Sequence, residues 1–242
     1  MSAARAERVD PDTLDVWADP ATERFLTPAT VITFIRTVAA VTIIGFAMHA
    51  DRTGGFWSPA LKLLVIGLVV YWAGDSLDGQ VARRMHHETR IGAVLDIMSD
   101  RFCAAAFYLG LAWLHPEFTV PVLIYLAEFM VIDCFLSIAF LAWPIRSPNY
   151  FFVVDRTVYR FNWTHPAKAT NSALFAVFLL VTHLAWVGAV VAAALLAFKL
   201  FWLIRVARIG LPVPGRSTLA GPAAGPTGSA ADQVTPAQGT TA

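Results

Sequence analysis

Apolar residues run along this chain in long blocks separated by short polar breaks. Six blocks stand out, at residues 28–48, 57–83, 91–114, 119–143, 169–184 and 186–204. A helix needs roughly 20 apolar residues to cross a bilayer, so the pattern predicts an all-α bundle of six transmembrane helices. The second block exceeds that length, and its polar end is expected to project beyond the hydrocarbon. The last two blocks almost touch, which predicts a tight helical hairpin.

The breaks differ in character. Residues 1–27 are polar, with Leu14, Trp17 and Phe25 set among charges and Pro20 interrupting them. They are expected to form a juxtamembrane helix lying at the interface. Residues 49–58 and 115–118 are short loops. Residues 144–168 form the longest internal break, where Arg146, Arg156, Arg160 and Lys168 alternate with aromatic side chains. That mixture suits a segment lying along the membrane surface. From residue 211 the chain turns to Gly, Pro, Ala, Ser and Thr without hydrophobic pattern, and a disordered tail is expected. The expected organisation is a polar segment at 1–27, a six-helix membrane domain at 28–208 and a tail at 209–242.

Composition agrees with the blocks. Hydrophobic residues make up 57% and charged residues 14% of 242 positions, against about a quarter charged in soluble domains. No cleavable signal peptide is visible at the N-terminus. Net charge is +1 and says little, but its placement is informative. Nearly all lysines and arginines fall at the termini, in the turn at 83–90 and in the break at 144–168. The opposite loops hold little beyond Arg52. The positive-inside rule then sets both termini on the cytosolic side of the cell membrane. Cys103 and Cys134 sit in apolar blocks and read as small core residues.

The candidate chemistry lies at the end of the second block and the start of the third. Asp75 and Asp78 are spaced to share one helix face, and so are Asp96 and Asp100. The polar run between them reads as a turn between antiparallel helices. A hairpin centred near His87 and Glu88 sets Asp78 level with Asp96 and Asp75 level with Asp100. Buried carboxylates beside the membrane are costly, at roughly 2.5–3.5 kcal/mol each on insertion scales. Four together repel unless positive charge stands between them, which points to two hard divalent cations. Three occupants fit such a cage: a diphosphate bridged by metals, a transported cation, or a proton. Gly79 and Gly92 favour the first, since a missing side chain lets a ligand approach the backbone. Arg83 could contact a phosphate or serve as an ordinary positive-inside arginine.

The full run reads D-x2-D-G-x2-A-R-x8-G-x3-D-x3-D, from Asp75 through Gly79, Ala82, Arg83 and Gly92 to Asp100. It resembles the signature of the CDP-alcohol phosphatidyltransferase family. The resemblance implies that Asp75, Asp78 and Asp96 bind one cation. Asp100 would help to bind a second and act as general base, with Mg²⁺ or Mn²⁺ as the metal. It implies that Gly79, Ala82, Arg83, Thr89 and Gly92 line the site of a CDP-linked lipid, such as CDP-diacylglycerol. Thr30-Val-Ile-Thr33-Phe-Ile-Arg36 resembles the family's nucleotide-contacting segment, with Thr30 where Asn or Asp is usual. Thr30 and Thr33 then join the lipid site, and helix capping by Thr30 stands as the other reading. The resemblance also implies a homodimer.

The acceptor alcohol is less legible. Arg146, Arg156, Arg160 and Lys168 suit a phosphorylated acceptor such as glycerol 3-phosphate, or simply anionic lipid headgroups. Asp133, inside the fourth block, is a further acceptor candidate, and Glu128 is expected to pair with a polar neighbour. Inositol phosphate, serine and phosphatidylglycerol stand as alternative acceptors. A divalent-cation transporter is the alternative outside enzymology.

Overall fold

The computed structural model describes residues 16–85, 87–170, 174–210 and 212. Those up to 210 belong to one compact unit, Met1–Leu211. The expected tail at 209–242 lies outside the described residues, apart from Ile209, which ends the last helix, Gly210 and Pro212, and so do residues 1–15.

Five helices are long and apolar enough to cross a membrane: α1 (Pro28–His49), α2 (Pro59–Arg84), α3 (Arg90–Leu114), α4 (Pro116–Ala142) and a last long helix, Ala185–Ile209. Each has 22 to 27 residues, or roughly 33–40 Å at 1.5 Å per residue, against a hydrocarbon core of about 30 Å. Among the described residues between α4 and the last helix lie a 3₁₀ turn at Pro148–Val153 and three shorter α-helices. The α-helices are α5 (Arg156–Asn162), α6 (His165–Lys168) and α7 (Leu174–Thr182), which makes Ala185–Ile209 α8. Of the expected span at 169–184, the described residues are 169–170, α7, and His183 and Leu184. Six spans were expected, and the described residues hold five. The hairpin into α8 turns at His183, whose φ is 55°.

Local chemistry fixes the helix starts. Thr27 and Thr30 form a reciprocal cap at the head of α1, followed by Pro28 in the first turn. Ser58 caps α2 ahead of Pro59. Thr89 caps α3 by accepting from Gly92 N at 3.0 Å. A Cβ on residue 92 would stand 2.8 Å from that hydroxyl oxygen, so glycine is what lets this cap close.

The N-terminal segment departs from the expected interfacial helix. Residues 16–27 are not helical, and Trp17 pairs with Ile145 in an antiparallel bridge. Arg146 donates to Trp17 O at 2.7 Å. Farther along, both Glu23 carboxylate oxygens accept backbone N–H groups at the start of α3, from Arg90 at 2.8 Å and Ile91 at 3.2 Å. Pro20 and the competing cap at α3 explain why this stretch serves as a strap.

Two apolar clusters hold the bundle. The larger joins α1 to α4 with α7 and α8 through Ile44, Leu64, Phe107, Tyr125, Phe175 and Leu179. Tyr125 and Phe175 stack there at 4.5 Å. The smaller packs the end of α4 and the break after it against α8, through Phe140, Phe151, Trp163 and Trp202. In the middle of α4 the helix widens into a π turn over Glu128–Asp133.

Candidate active site

The carboxylates at the ends of α2 and α3 converge as their spacing predicts, and an arginine from α1 reaches into them. Arg36 Nη2 lies 2.5 Å from Asp96 Oδ1, 2.9 Å from Asp100 Oδ1 and 3.6 Å from Asp75 Oδ1. Its Nε lies 2.8 Å from Asp78 Oδ2, which also accepts from the Thr33 hydroxyl at 2.7 Å. One guanidinium faces four carboxylates, so the cluster keeps an excess of negative charge. Arg36 and Asp78 are buried, whereas Asp75 and Asp96 have side chains about two-fifths exposed.

Oxygens of Asp75, Asp78 and Asp96 lie within 4.8 Å of one another. An all-carboxylate donor set, anionic in sum and open on one side, fits a hard divalent cation. Asp100 is outside this trio and shares Arg36 Nη2 with Asp96.

Two cavities meet at the aspartates. The first, of about 320 Å³, is lined by every expected lipid-site residue: Thr30, Thr33, Asp75, Asp78, Gly79, Ala82, Arg83, Thr89 and Gly92. Thr30 also uses its hydroxyl in the α1 cap, donating to Phe25 O and Thr27 O, both at 2.9 Å. Thr30 thus serves the cap and lines this cavity with the same side chain. The second cavity, of about 420 Å³, takes in Asp100, Arg101, Asp133, Ser137, Asn162 and Lys199. Asp75, Asp96, Asn149 and Lys168 line both. Lys168 Nζ donates to Asn149 Oδ1 at 2.9 Å at that junction.

The acceptor candidates separate in space. Asp133 and Lys168 line the second cavity, but Arg146, Arg156 and Arg160 line neither. Arg146 is tied to the strap, and Arg156 and Arg160 are exposed on α5. Glu128 is buried, and neither carboxylate oxygen has a hydrogen-bond partner, against the polar neighbour expected for it.

Several site residues were not singled out by the sequence reading. Arg36 was noted only as part of a resembling segment. Arg101 follows Asp100 directly, and Lys199 stands alone in the middle of α8. A charge inside an apolar span is itself a signal of function, and Arg101, Asp133 and Lys199 carry that signal on three different helices.

The chain is similar to known proteins through most of its helical part. The model of the CDP-alcohol phosphatidyltransferase family matches residues 26–204. The CDP-diacylglycerol–inositol 3-phosphatidyltransferase of Candida albicans is 32% identical over 96 residues, covering 40% of this chain and 37% of that protein. The enzyme of the same name from Drosophila melanogaster is 30% identical over 78 residues, covering 31% of this chain and 35% of that protein. The matched stretches thus span little more than a third of these relatives. No solved structure matches the chain. With the signature complete from Asp75 to Asp100 and the family match running across the whole helical bundle, this chain belongs to the CDP-alcohol phosphatidyltransferase family.

Proposed function

We propose that this protein transfers a phosphatidyl group from a CDP-linked lipid to an acceptor alcohol of the inositol type, releasing CMP. One observation carries the reading: the two cavities are separate except at Asp75, Asp96, Lys168 and their neighbours. Donor and acceptor would meet there and nowhere else.

The first cavity supplies what a nucleotide diphosphate needs. Gly79 and Gly92 leave its wall low, and Arg83 stands on the same helix to meet a phosphate oxygen. Asp75, Asp78 and Asp96 would hold a divalent cation, Mg²⁺ or Mn²⁺, and Asp100 would help hold a second. Bound there, such cations supply the positive charge that neutralises a diphosphate as its bridging bond breaks. Arg36 fixes the directions of the carboxylates from behind. Lys168, at the junction, reaches the transferring phosphoryl group from the acceptor side. Asp100 faces the second cavity and takes the proton from the acceptor hydroxyl. The acceptor oxygen forms its bond to phosphorus, the bond to CMP breaks, and the proton rests on Asp100.

Two observations move the acceptor from glycerol 3-phosphate towards inositol. The arginines that favoured a phosphorylated acceptor, Arg146, Arg156 and Arg160, stand away from the cavity. The named relatives are inositol phosphatidyltransferases. We infer further that the site faces the cytosol from the cell membrane and that the protein works as a homodimer, on the positive-inside count and the family resemblance respectively.

The test is CMP release by purified protein from CDP-diacylglycerol, with inositol, inositol phosphate, serine and glycerol 3-phosphate offered in turn. Release that depends on an inositol-type acceptor supports the reading. No release with any alcohol sinks it.

A further inference from the structure

Asp133 is gripped from two sides. Lys199 Nζ lies 2.5 Å from Asp133 Oδ1 and 3.1 Å from Asn162 Oδ1. The Arg101 guanidinium bonds Asp133 Oδ2 and reaches Ser137 Oγ at 2.9 Å. Lys199 is 1% exposed, Arg101 7% and Asp133 9%, and all three line the cavity that opens onto Asp100. The π turn ends on Asp133, and such turns gather at functional sites.

A buried cation receives a phosphate when its charge is not already matched. One carboxylate answers both cations and leaves the trio one positive charge, which the rest of the cavity's lining outweighs, with Asp75, Asp96 and Asp100 against Lys168; a second anion meets a wall already negative in sum. What the wall still offers is mixed. Asp133 and Asn162 present acceptor oxygens, and Ser137 presents a hydroxyl. A set of hydroxyls, each both donor and acceptor, satisfies such a wall. A phosphate monoester, all acceptor and doubly charged, does not.

The geometry points to Asp133 as the residue that sets the acceptor class: by occupying Arg101 and Lys199 it closes the cavity to phosphorylated alcohols and admits an uncharged polyol. The inference rests on the phosphatidyl transfer proposed above and deepens it. Asp133 acts through its two cations and is a positioning residue.

The experiment measures CMP release from CDP-diacylglycerol in mixed micelles, with myo-inositol and inositol 1-phosphate as rival acceptors. Wild type is expected to favour myo-inositol in kcat/KM by at least about tenfold, because juxtaposed like charges discriminate strongly. Asp133→Asn should move that ratio towards inositol 1-phosphate by at least about tenfold, through the KM of the phosphorylated acceptor and with the KM for CDP-lipid unchanged. Removing one partner of a buried pair can prevent folding. The double variant Asp133→Asn, Lys199→Met keeps the buried charge of the wild-type trio while freeing Arg101, and the same shift is expected in it. A merely structural role for Asp133 lowers both acceptors together. Wild-type preference for inositol 1-phosphate overturns this inference and leaves the transferase reading standing, as does an unmoved ratio in either folded variant. No release with any alcohol overturns both.

Discussion

Gly74 and Arg36 are in contact across α1 and α2: a Cβ on residue 74 would stand 2.5 Å from Arg36 Cβ and 2.8 Å from its Cδ. The guanidinium reaches four carboxylates because nothing on α2 blocks the stem of its side chain. Gly74→Ala forces the helices apart or turns Arg36 away. CMP release is expected to fall on the order of a hundredfold, the loss that a misplacement of about 1 Å can cause. The melting temperature in detergent should fall far less. Near-normal turnover in this variant would show that Arg36 is not what aligns the aspartates.

Asp78 and Asp100 should fail differently. Asp78 is buried against Arg36 and Thr33 on the donor side, so Asp78→Asn is expected to lose retention of CDP-lipid. Asp100 faces the acceptor cavity, so Asp100→Asn should retain CDP-lipid and lose roughly 10²–10⁴-fold in kcat, the usual reach of a general base. Equilibrium binding of CDP-lipid beside single-turnover release of CMP separates the two outcomes. Equal loss of binding in both variants would remove Asp100 from the base role.

Divalent cations should be required. Excess chelator is expected to abolish CMP release, and added Mg²⁺ or Mn²⁺ to restore it. Tryptophan emission followed in parallel would tell loss of the cation from loss of the fold. Full turnover in chelator excludes a role for the trio Asp75, Asp78 and Asp96 as metal ligands.

A pH dependence is expected at the far end of α8. Burial pushes the Asp155 carboxyl up. The backbone N–H of Val158, the Arg205 guanidinium and the N–H of Thr157 outweigh it and hold the group below its ordinary value. Its stabilising effect is therefore present above the unfolded value near 3.9 and is lost as pH falls through the lower folded value. Asp155 caps α5, so Asp155→Ala should cost about 1 kcal/mol. That deficit should shrink in acid melts; a deficit that grows below pH 4 contradicts the assignment.

The four aspartates were legible because helix periodicity is local. Asp75 to Asp78 and Asp96 to Asp100 fix two faces, and one short turn sets them opposite. The lipid-site residues came with the same local run, and all of them line one cavity. Arg36 was not legible in its role, because contact between α1 and α2 depends on a glycine 38 positions away. Lys199 and Asp133 are farther apart still. The strap's apolar residues among charges suggest an interfacial helix, but its actual partners, Ile145 and the start of α3, lie more than 60 residues downstream. Arg146, Arg156 and Arg160 showed the limit of charge counting: the sequence marks a basic break but not which side of it lines a cavity.

The widened turn in α4 has a consequence for insertions and deletions. Such a turn accommodates one residue more than an ordinary helical turn, and one residue corresponds to about 100° of rotation. Removing a single position between 129 and 132 would therefore close it to an ordinary turn and leave Asp133 on the acceptor wall; removing one between 120 and 126, where α4 is regular, would swing Asp133 away while leaving the helix about as long as before. Hydropathy would hardly register the second change, yet Arg101 and Lys199 would be left facing each other with no carboxylate between them.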